Sequence, residues 1–285
     1  MDGGRALVLG GGGVAGIAWE TGMLVGLAEA GVDLGSADRV IGTSAGSVAG
    51  ALLRSGASAA AWQAAISEDE PVESSALGAS PDTDRFMQAA AEALASPAAS
   101  PEEARSRLGA LARRVSADGQ AERVAVFAGL IGGTEWPEGD LRVTAVDAED
   151  GAFRVFDRGS GVPLAAAVAA SCAVPVVYPT VEIDGRRWMD GGMRSATNAD
   201  LARGAERVVV LACGPEIPGN PLGPGLEDAV AELRRDAEVV VVLPDAASAA
   251  AFGTNSLAQA SRRPAALAGR AQAASVAERV RAVWG

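Results

Sequence analysis

The 285-residue chain contains no histidine and no lysine. Without imidazole there is no Ser-His-Asp hydrolase, no Cys-His protease and no His-ligated zinc or haem centre. Without lysine there is no Walker-type P-loop with its usual Lys, no lysine Schiff base and no Ser-Lys dyad. All 24 basic residues are arginine, a usage that GC-biased codons explain. Cysteine is nearly absent as well. Cys172 and Cys213 both lie in apolar contexts, which predicts two buried structural thiols and no disulfide framework. Positive charge is in the minority: 24 arginines face 36 acids, for a formal net charge of −12. A negative surface disfavours nucleic acid as a partner and disfavours strong docking on anionic lipid. The N-terminus carries only Arg5 before a glycine run, so it does not read as a signal peptide. One long uncharged stretch spans Gly159 to Val181, but Pro163, Pro175 and Pro179 divide it. It predicts a buried helix followed by a buried extended segment, not a membrane span. The cytoplasm is the expected compartment.

Against these absences stands an ordinary globular composition, 49% apolar and 21% charged. The length suits a single α/β domain, residues 1–285. The order of elements supports that class. Arg5 to Leu9 reads as a buried strand, Gly10 to Gly13 as a loop, and Val14 to Ala30 as a helix stopped by Gly31. Arg39 to Ile41 predicts a second strand and Ala45 to Ser55 a second helix. Strand, loop, helix, strand, sharp turn, helix argues for a mostly parallel sheet covered by helices. Residues 57–135 change character. They carry Ala, Glu, Arg and Ser at helical spacing, with helices expected over Asp84 to Leu94, Pro101 to Val115 and Gln120 to Ile131. An acidic loop is expected at Ser67 to Pro81. This segment reads as a helical insertion or lid. Strands return at Leu141 to Val146, Ala152 to Phe156, Val176 to Ile183 and Arg187 to Met189, with a helix near Pro163 to Ser171. The Val-rich runs Arg207 to Ala212 and Glu238 to Leu243 predict strands buried on both faces. Helices are expected over Leu226 to Ala237 and Pro264 to Val283.

Three motifs carry chemistry. Gly42-Thr43-Ser44-Ala45-Gly46 has the G-x-S-x-G form and stands between a predicted strand and a predicted helix, the context of a nucleophile elbow. Gly42 and Gly46 allow the tight turn, and the helix dipole favours negative charge beside Ser44. A nucleophilic serine needs a base, and here only a carboxylate is available. Its ordinary pKa, near ~3.9 for Asp, must be raised by burial before it works well. Asp190, in Trp188-Met189-Asp190-Gly191-Gly192, is the best candidate, with Gly191 and Gly192 permitting close approach of a second loop. Asp184-Gly185 reads instead as a hairpin turn. Finally, the amides of Gly11, Gly12 and Gly13 open a helix and can form an oxyanion hole from backbone alone.

Together these blocks resemble the patatin-like phospholipases: Gly-Gly-Gly-Val-Ala-Gly at 11–16, Gly-Thr-Ser-Ala-Gly at 42–46 and Asp-Gly-Gly at 190–192. A fourth block, Ala170-Ser171-Cys172-Ala173-Val174-Pro175 with Tyr178-Pro179 and Val181 to Arg186, resembles the segment that leads to that family's catalytic Asp. The resemblance runs from residue 5 to about 213. It implies a three-layer α/β fold and a Ser-Asp dyad, with Ser44 as nucleophile, Asp190 as base and the Gly12 and Gly13 amides as oxyanion donors. It implies a lipid or acyl-ester substrate met by transient contact with a membrane surface, and neither a metal nor an organic cofactor. Two features depart from the family pattern. Ala15 stands where many members carry Arg or Lys. Asn198-Ala199-Asp200 replaces an earlier Asn-x-Pro, and Asn198 reads as the cap of a helix beginning near Ala199.

Two other readings use the same residues. Gly11, Gly13 and Gly16 satisfy G-x-G-x-x-G, a dinucleotide-binding fingerprint, but the expected acid at the end of strand two is missing. A catalytically silent scaffold would keep the fold and use residues 57–135 for protein contacts. Arg186, Arg187 and Arg194 flank Asp190 and are expected to pair with acids. Trp62, Trp136 and Trp188 are expected in packing.

Overall fold

The computed structural model describes residues 4–67, 83–115, 118–216 and 219–285. Its centre is the parallel pairing of β1 (Arg5–Leu9) with β2 (Arg39–Gly42) and β7 (Arg207–Leu211). β3 (Asp140–Asp147) joins β2, and β8 (Glu238–Val242) joins β7, both in parallel. Beyond β3 the sheet turns antiparallel, with β6 (Arg186–Asp190) and then β5 (Val181–Ile183). β4 (Phe153–Phe156) also pairs antiparallel with β3, which makes eight strands in the order β5-β6-β3-β2-β1-β7-β8 with β4 off that path. The fold is therefore α/β with a mixed, mostly parallel sheet.

Strand periodicity sorts the core into layers. Leu7, Leu9, Val40, Val209 and Leu211 point to one face, where α1 (Gly13–Glu29), α2 (Ala45–Arg54) and α10 (Arg262–Trp284) supply Trp19, Met23, Leu27, Val48, Ala273 and Val280. Ala6, Val8, Ile41, Val208 and Val210 point to the other, against Ala199, Ala202 and α8 (Leu226–Leu233). Alternate residues of one strand thus bury on opposite sides, which is why these strands are apolar throughout. The helices of residues 57–135 are α3 (Ser58–Ile66), α4 (Thr83–Ala93), α5 (Pro101–Ala112) and α6 (Gln120–Ile131). α3 packs on α1 and α10, and α6 packs on α2 and on α7 (Leu164–Ser171). Leu108 and Ala112 of α5 cover the β3–β6 edge beside Val146 and Met189.

Some expectations need correction. Only Val181–Ile183 of the expected 176–183 extended run is a strand. Val176 adopts φ 68, and the amides of Val177 and Tyr178 turn back to the Val174 carbonyl. Pro175 and Pro179 have no N–H to give to a ladder, so this stretch folds as a turn. The helix expected over 226–237 stops at Leu233. A helix absent from the sequence reading, α9 (Ala246–Phe252), starts at Asp245, whose carboxylate accepts from the Ser248 amide at 2.8 Å. The expected acidic loop lies outside the described residues from position 68 on. No described helix is long and apolar enough to cross a membrane; α7, inside the apolar stretch, is buried against the sheet.

Candidate active site

β2 ends at Gly42 and α2 begins at Ala45, so Thr43 and Ser44 must reverse the chain between them. Ser44 takes up the strain, with φ 49 and ψ −115. A non-glycine residue at positive φ persists only where its surroundings over-determine it. Here they do. The Thr43 amide donates to the Leu9 carbonyl at 3.0 Å, the Gly46 amide to the Gly10 carbonyl at 2.9 Å, and the Ser44 amide to the Ser171 hydroxyl at 2.9 Å. Gly46 must be glycine, since a Cβ there would sit 2.1 Å from the Leu9 carbonyl oxygen. Gly42 is confined in the same way by the Gly46 carbonyl, at 2.5 Å. Ser44 is left 8% exposed at the N-terminus of α2.

Asp190 ends β6, paired across from Ala145 of β3, and is 2% exposed. Its Oδ1 accepts from the Gly192 amide at 2.7 Å, and the Ser44 side chain is near enough to favour its charged form. Gly191 lets the chain pass against β3, because a Cβ there would meet the Thr144 hydroxyl at 2.2 Å. Burial pushes the Asp190 carboxyl up from 3.8 to about 6, while the Ser44 side chain, the Gly192 amide and the charge of Arg123 pull the other way. A carboxylate at about 6 is ionised at neutral pH and yet basic enough to accept a proton.

The glycine loop lies beside Ser44: a Cβ on Gly11 would be 3.5 Å from that of Ser44. One expectation fails here. The Gly11 amide donates to the Ala196 carbonyl at 2.7 Å and so is not free for an oxyanion. The candidate donors that remain are the amides of Gly12 and Gly13, the latter opening α1 at φ 64. Gly16 packs toward Ala45 and Cys213, at 3.1 Å from each for a built Cβ, so the N-termini of α1 and α2 converge on one place. β2 runs directly into Ser44, with no carboxylate at its end for a ribose. Behind the loop, burial raises Glu20 well above the ordinary carboxylate range, which keeps it neutral there. Cys172 is buried as expected, while Cys213 is only partly so; both are free thiols.

Asn198 corrects another expectation. It does not cap the following 3-10 turn; it sits in the left-handed region at φ 49 with its side chain buried. Its Nδ2 lies 3.0 Å from Thr43 Oγ1, 2.9 Å from the Ser195 carbonyl and 3.2 Å from the Gly191 carbonyl. It thereby ties the elbow to the Asp190 loop. An Asn able to tolerate αL was the available signal, but its partners are far away in sequence. Two of the three flanking arginines pair as expected, Arg194 with Asp200 at 2.7 Å and Arg186 with Asp147 and Asp150, while Arg187 makes no ion pair among the described residues. Trp62 and Trp188 are buried in packing, and Trp136 donates to the Val162 carbonyl at 2.7 Å. One residue past Gly13, an apolar groove of about 390 Å³ starts at Val14 and runs along Ile17, Ala18 and Thr21, walled by Leu52 and Ala61.

Fold and site together define an α/β protein with a strained serine at a strand-to-helix turn and a buried carboxyl against it. A family model for patatin-like phospholipases matches residues 7–203, and the chain belongs to that family, whose membership implies a lipid acyl hydrolase. Among solved structures the chain is similar to the type III effector ExoU, at 17% identity and a TM-score of 0.43, over 98% of this chain and 53% of that one. VipD from Legionella pneumophila is matched at 13% identity and a TM-score of 0.42, over 97% of this chain and 67% of that one. Full-length ExoU of Pseudomonas aeruginosa in complex with SpcU is matched at 20% identity and a TM-score of 0.39, over 94% of this chain and 53% of that one. The chain therefore spans about half the length of ExoU. No curated protein matches the sequence.

Proposed function

We propose that the protein is a serine acyl hydrolase that cleaves carboxylic esters of lipids through an acyl-enzyme on Ser44, with Asp190 as general base. The observation that carries this reading is the strained Ser44 at the start of α2 together with a buried Asp190 carboxyl, raised to about 6, on which the Ser44 side chain acts. Asp190 takes the Ser44 proton as the oxygen attacks the ester carbonyl. The resulting oxyanion is held by the Gly12 and Gly13 amides, preorganised at the start of α1. Protonated Asp190 then donates to the departing alcohol as the carbonyl–oxygen bond breaks. In the second half, Asp190 deprotonates a water that attacks the acyl carbon. The Ser44 oxygen leaves, recovers the proton, and the fatty acid departs. One carboxyl serves as base and acid in turn, which suits a pKa close to working pH.

The groove beginning at Val14 supports an acyl substrate, since its walls are mainly apolar and it starts one residue from the oxyanion donors. From Val14 to Thr21 it follows α1 for about 10 Å at 1.5 Å per residue. The test is a fluorophosphonate probe with intact-mass detection, the adduct mapped by peptide sequencing, and turnover of a panel of acyl esters. A single adduct on Ser44 is expected, lost in Ser44→Ala together with ester turnover. Ester turnover that survives Ser44→Ala overturns the assignment.

A further inference from the structure

We propose that Arg123, on α6, is a positioning residue for the Ser44–Asp190 pair: it pins the strap Ser171-Cys172-Ala173 that holds both residues and presents its charge to Asp190. The inference rests on the hydrolase reading above and names a control on that same site.

The strap is the end of α7, and its three successive residues each make one contact. The Ser171 hydroxyl accepts from the Ser44 amide at 2.9 Å. The Ala173 carbonyl accepts from the Asp190 amide at 3.0 Å. Between them, the Cys172 carbonyl accepts from an Arg123 guanidinium nitrogen at 2.9 Å. Nucleophile and base are therefore registered against one another through three residues, and the middle one is fastened to a helix from the 57–135 segment. A shift of α6 along its axis would reach both side chains at once.

Arg123 is an unusual fastener. It is 4% exposed, and its Nε has no hydrogen-bond partner. Its guanidinium lies 3.8 Å from the centre of the Tyr178 ring and 5.1 Å from that of Phe127. Among the described residues no carboxylate lies within ion-pair distance of it. A buried cation without a counter-ion is costly. The acid whose charge it feels is Asp190. The other ionisable groups facing the pair are Cys172, at the end of α7, and Tyr178, in the turn that follows. Burial pushes the Cys172 thiol up to about 12 and raises the Tyr178 phenol, so both are neutral in the working range. Arg123 and Asp190 are left as the two charges of this region. A guanidinium stays protonated even when burial lowers its pKa. Its field favours the ionised base and so keeps Asp190 available at lower pH than burial alone would allow.

The test compares pH profiles of kcat/KM on a short, water-soluble acyl ester for wild type, Arg123→Gln and Arg123→Lys. Gln keeps a donor for the Cys172 carbonyl and removes the charge; Lys keeps the charge. The acid limb of Arg123→Gln is expected to move up by at most about one pH unit, the low end for removal of an opposite charge. Its loss of activity is then larger at pH 6 than at pH 8.5. Arg123→Lys is expected to return the limb to the wild-type position. Circular dichroism over the same pH range gives the folded fraction at each point, and rates corrected by it let a less stable variant still give the answer. If Arg123→Gln keeps the wild-type limb, whatever its amplitude, Arg123 is only a packing residue. Phosphonate labelling of wild-type Ser44 separates the two claims: no adduct removes the hydrolase reading and this inference with it, while an adduct with an unmoved limb removes the inference alone.

Discussion

The backbone N–H of Ser44 donates to the hydroxyl of Ser171, 127 residues further along the chain, at 2.9 Å. The strained turn is thus anchored at its own amide by a helix end from a different part of the sheet. Ser171→Ala leaves that buried amide without an acceptor. The expected cost is about 1–3 kcal/mol, read as a lower denaturant midpoint. Activity should fall further than stability predicts, because Ser44 loses its register. Equal kcat in the mutant and wild type would sink the idea.

Asp190 links activity and stability with opposite signs. Its carboxyl is raised from 3.8 to about 6, so activity should rise with pH through an acid limb near 6. The folded protein favours the protonated form. Its stability is therefore unpenalised below pH 3.8, declines as pH rises toward 6, and carries the whole penalty above that. A rise of this size corresponds to about 3 kcal/mol at roughly 1.36 kcal/mol per pH unit. Asp190→Asn keeps an oxygen for the Gly192 amide and cannot ionise. It should lower kcat/KM by about 10²–10⁴-fold and yet unfold at higher denaturant than wild type at pH 8, with little difference at pH 4. Denaturant titrations at the two pH values decide it; a mutant less stable at pH 8 contradicts the assigned direction.

Two helix glycines should respond to alanine in opposite ways. On Gly46 of α2 a Cβ would sit 2.1 Å from the Leu9 carbonyl oxygen, so α2 must lift from β1. Gly46→Ala should fall in the severe class, above about 4 kcal/mol, with loss of phosphonate labelling. On Gly129 of α6 nothing lies within 4 Å, so Gly129→Ala should stabilise by about 0.5–1 kcal/mol. Thermal unfolding of both proteins gives the comparison.

The groove makes a claim about chain length. Ala61 lines it, and Ala61→Trp fills it without touching Ser44 or Asp190. Turnover of a sixteen-carbon acyl ester should fall at least about tenfold, while a four-carbon ester is hydrolysed as before. That split corresponds to about 1.4 kcal/mol of lost acyl binding in the transition state. Parallel losses on both esters would place the acyl chain elsewhere.

Much of the architecture was legible because it depends on local pattern. The Val-rich runs at 207 and 238 are the expected strands β7 and β8; β7 is buried on both faces, whereas β8, at the sheet edge, has Val239 and Val241 only half-buried. The expected helix over Gln120–Ile131 is α6, and Gly119 and Gly132, both left-handed, stand at its two ends. The hairpin at Asp184-Gly185 follows from two residues that accept positive φ. Other features were hidden because they depend on distant partners. Spacing says nothing of Ala196, whose carbonyl removes Gly11 from the oxyanion donors. Asn198 looks like a cap until Thr43 and Gly191 are placed on either side of it. Arg123 carries no signal in the sequence, since nothing near it in the chain announces Tyr178 or Asp190.

The amino-acid sequence alone decided the class of fold, the elbow at Ser44 and the need for a carboxylate base. Alternation, glycine sterics and the absence of imidazole are properties of short segments and of composition. Only the tertiary structure decided how the Asp190 carboxyl is tuned. Burial, the Gly192 amide, the Ser44 side chain and the Arg123 charge act on Asp190 from separate elements, and an electric field in a low-dielectric interior depends on distances between elements that sequence order does not contain.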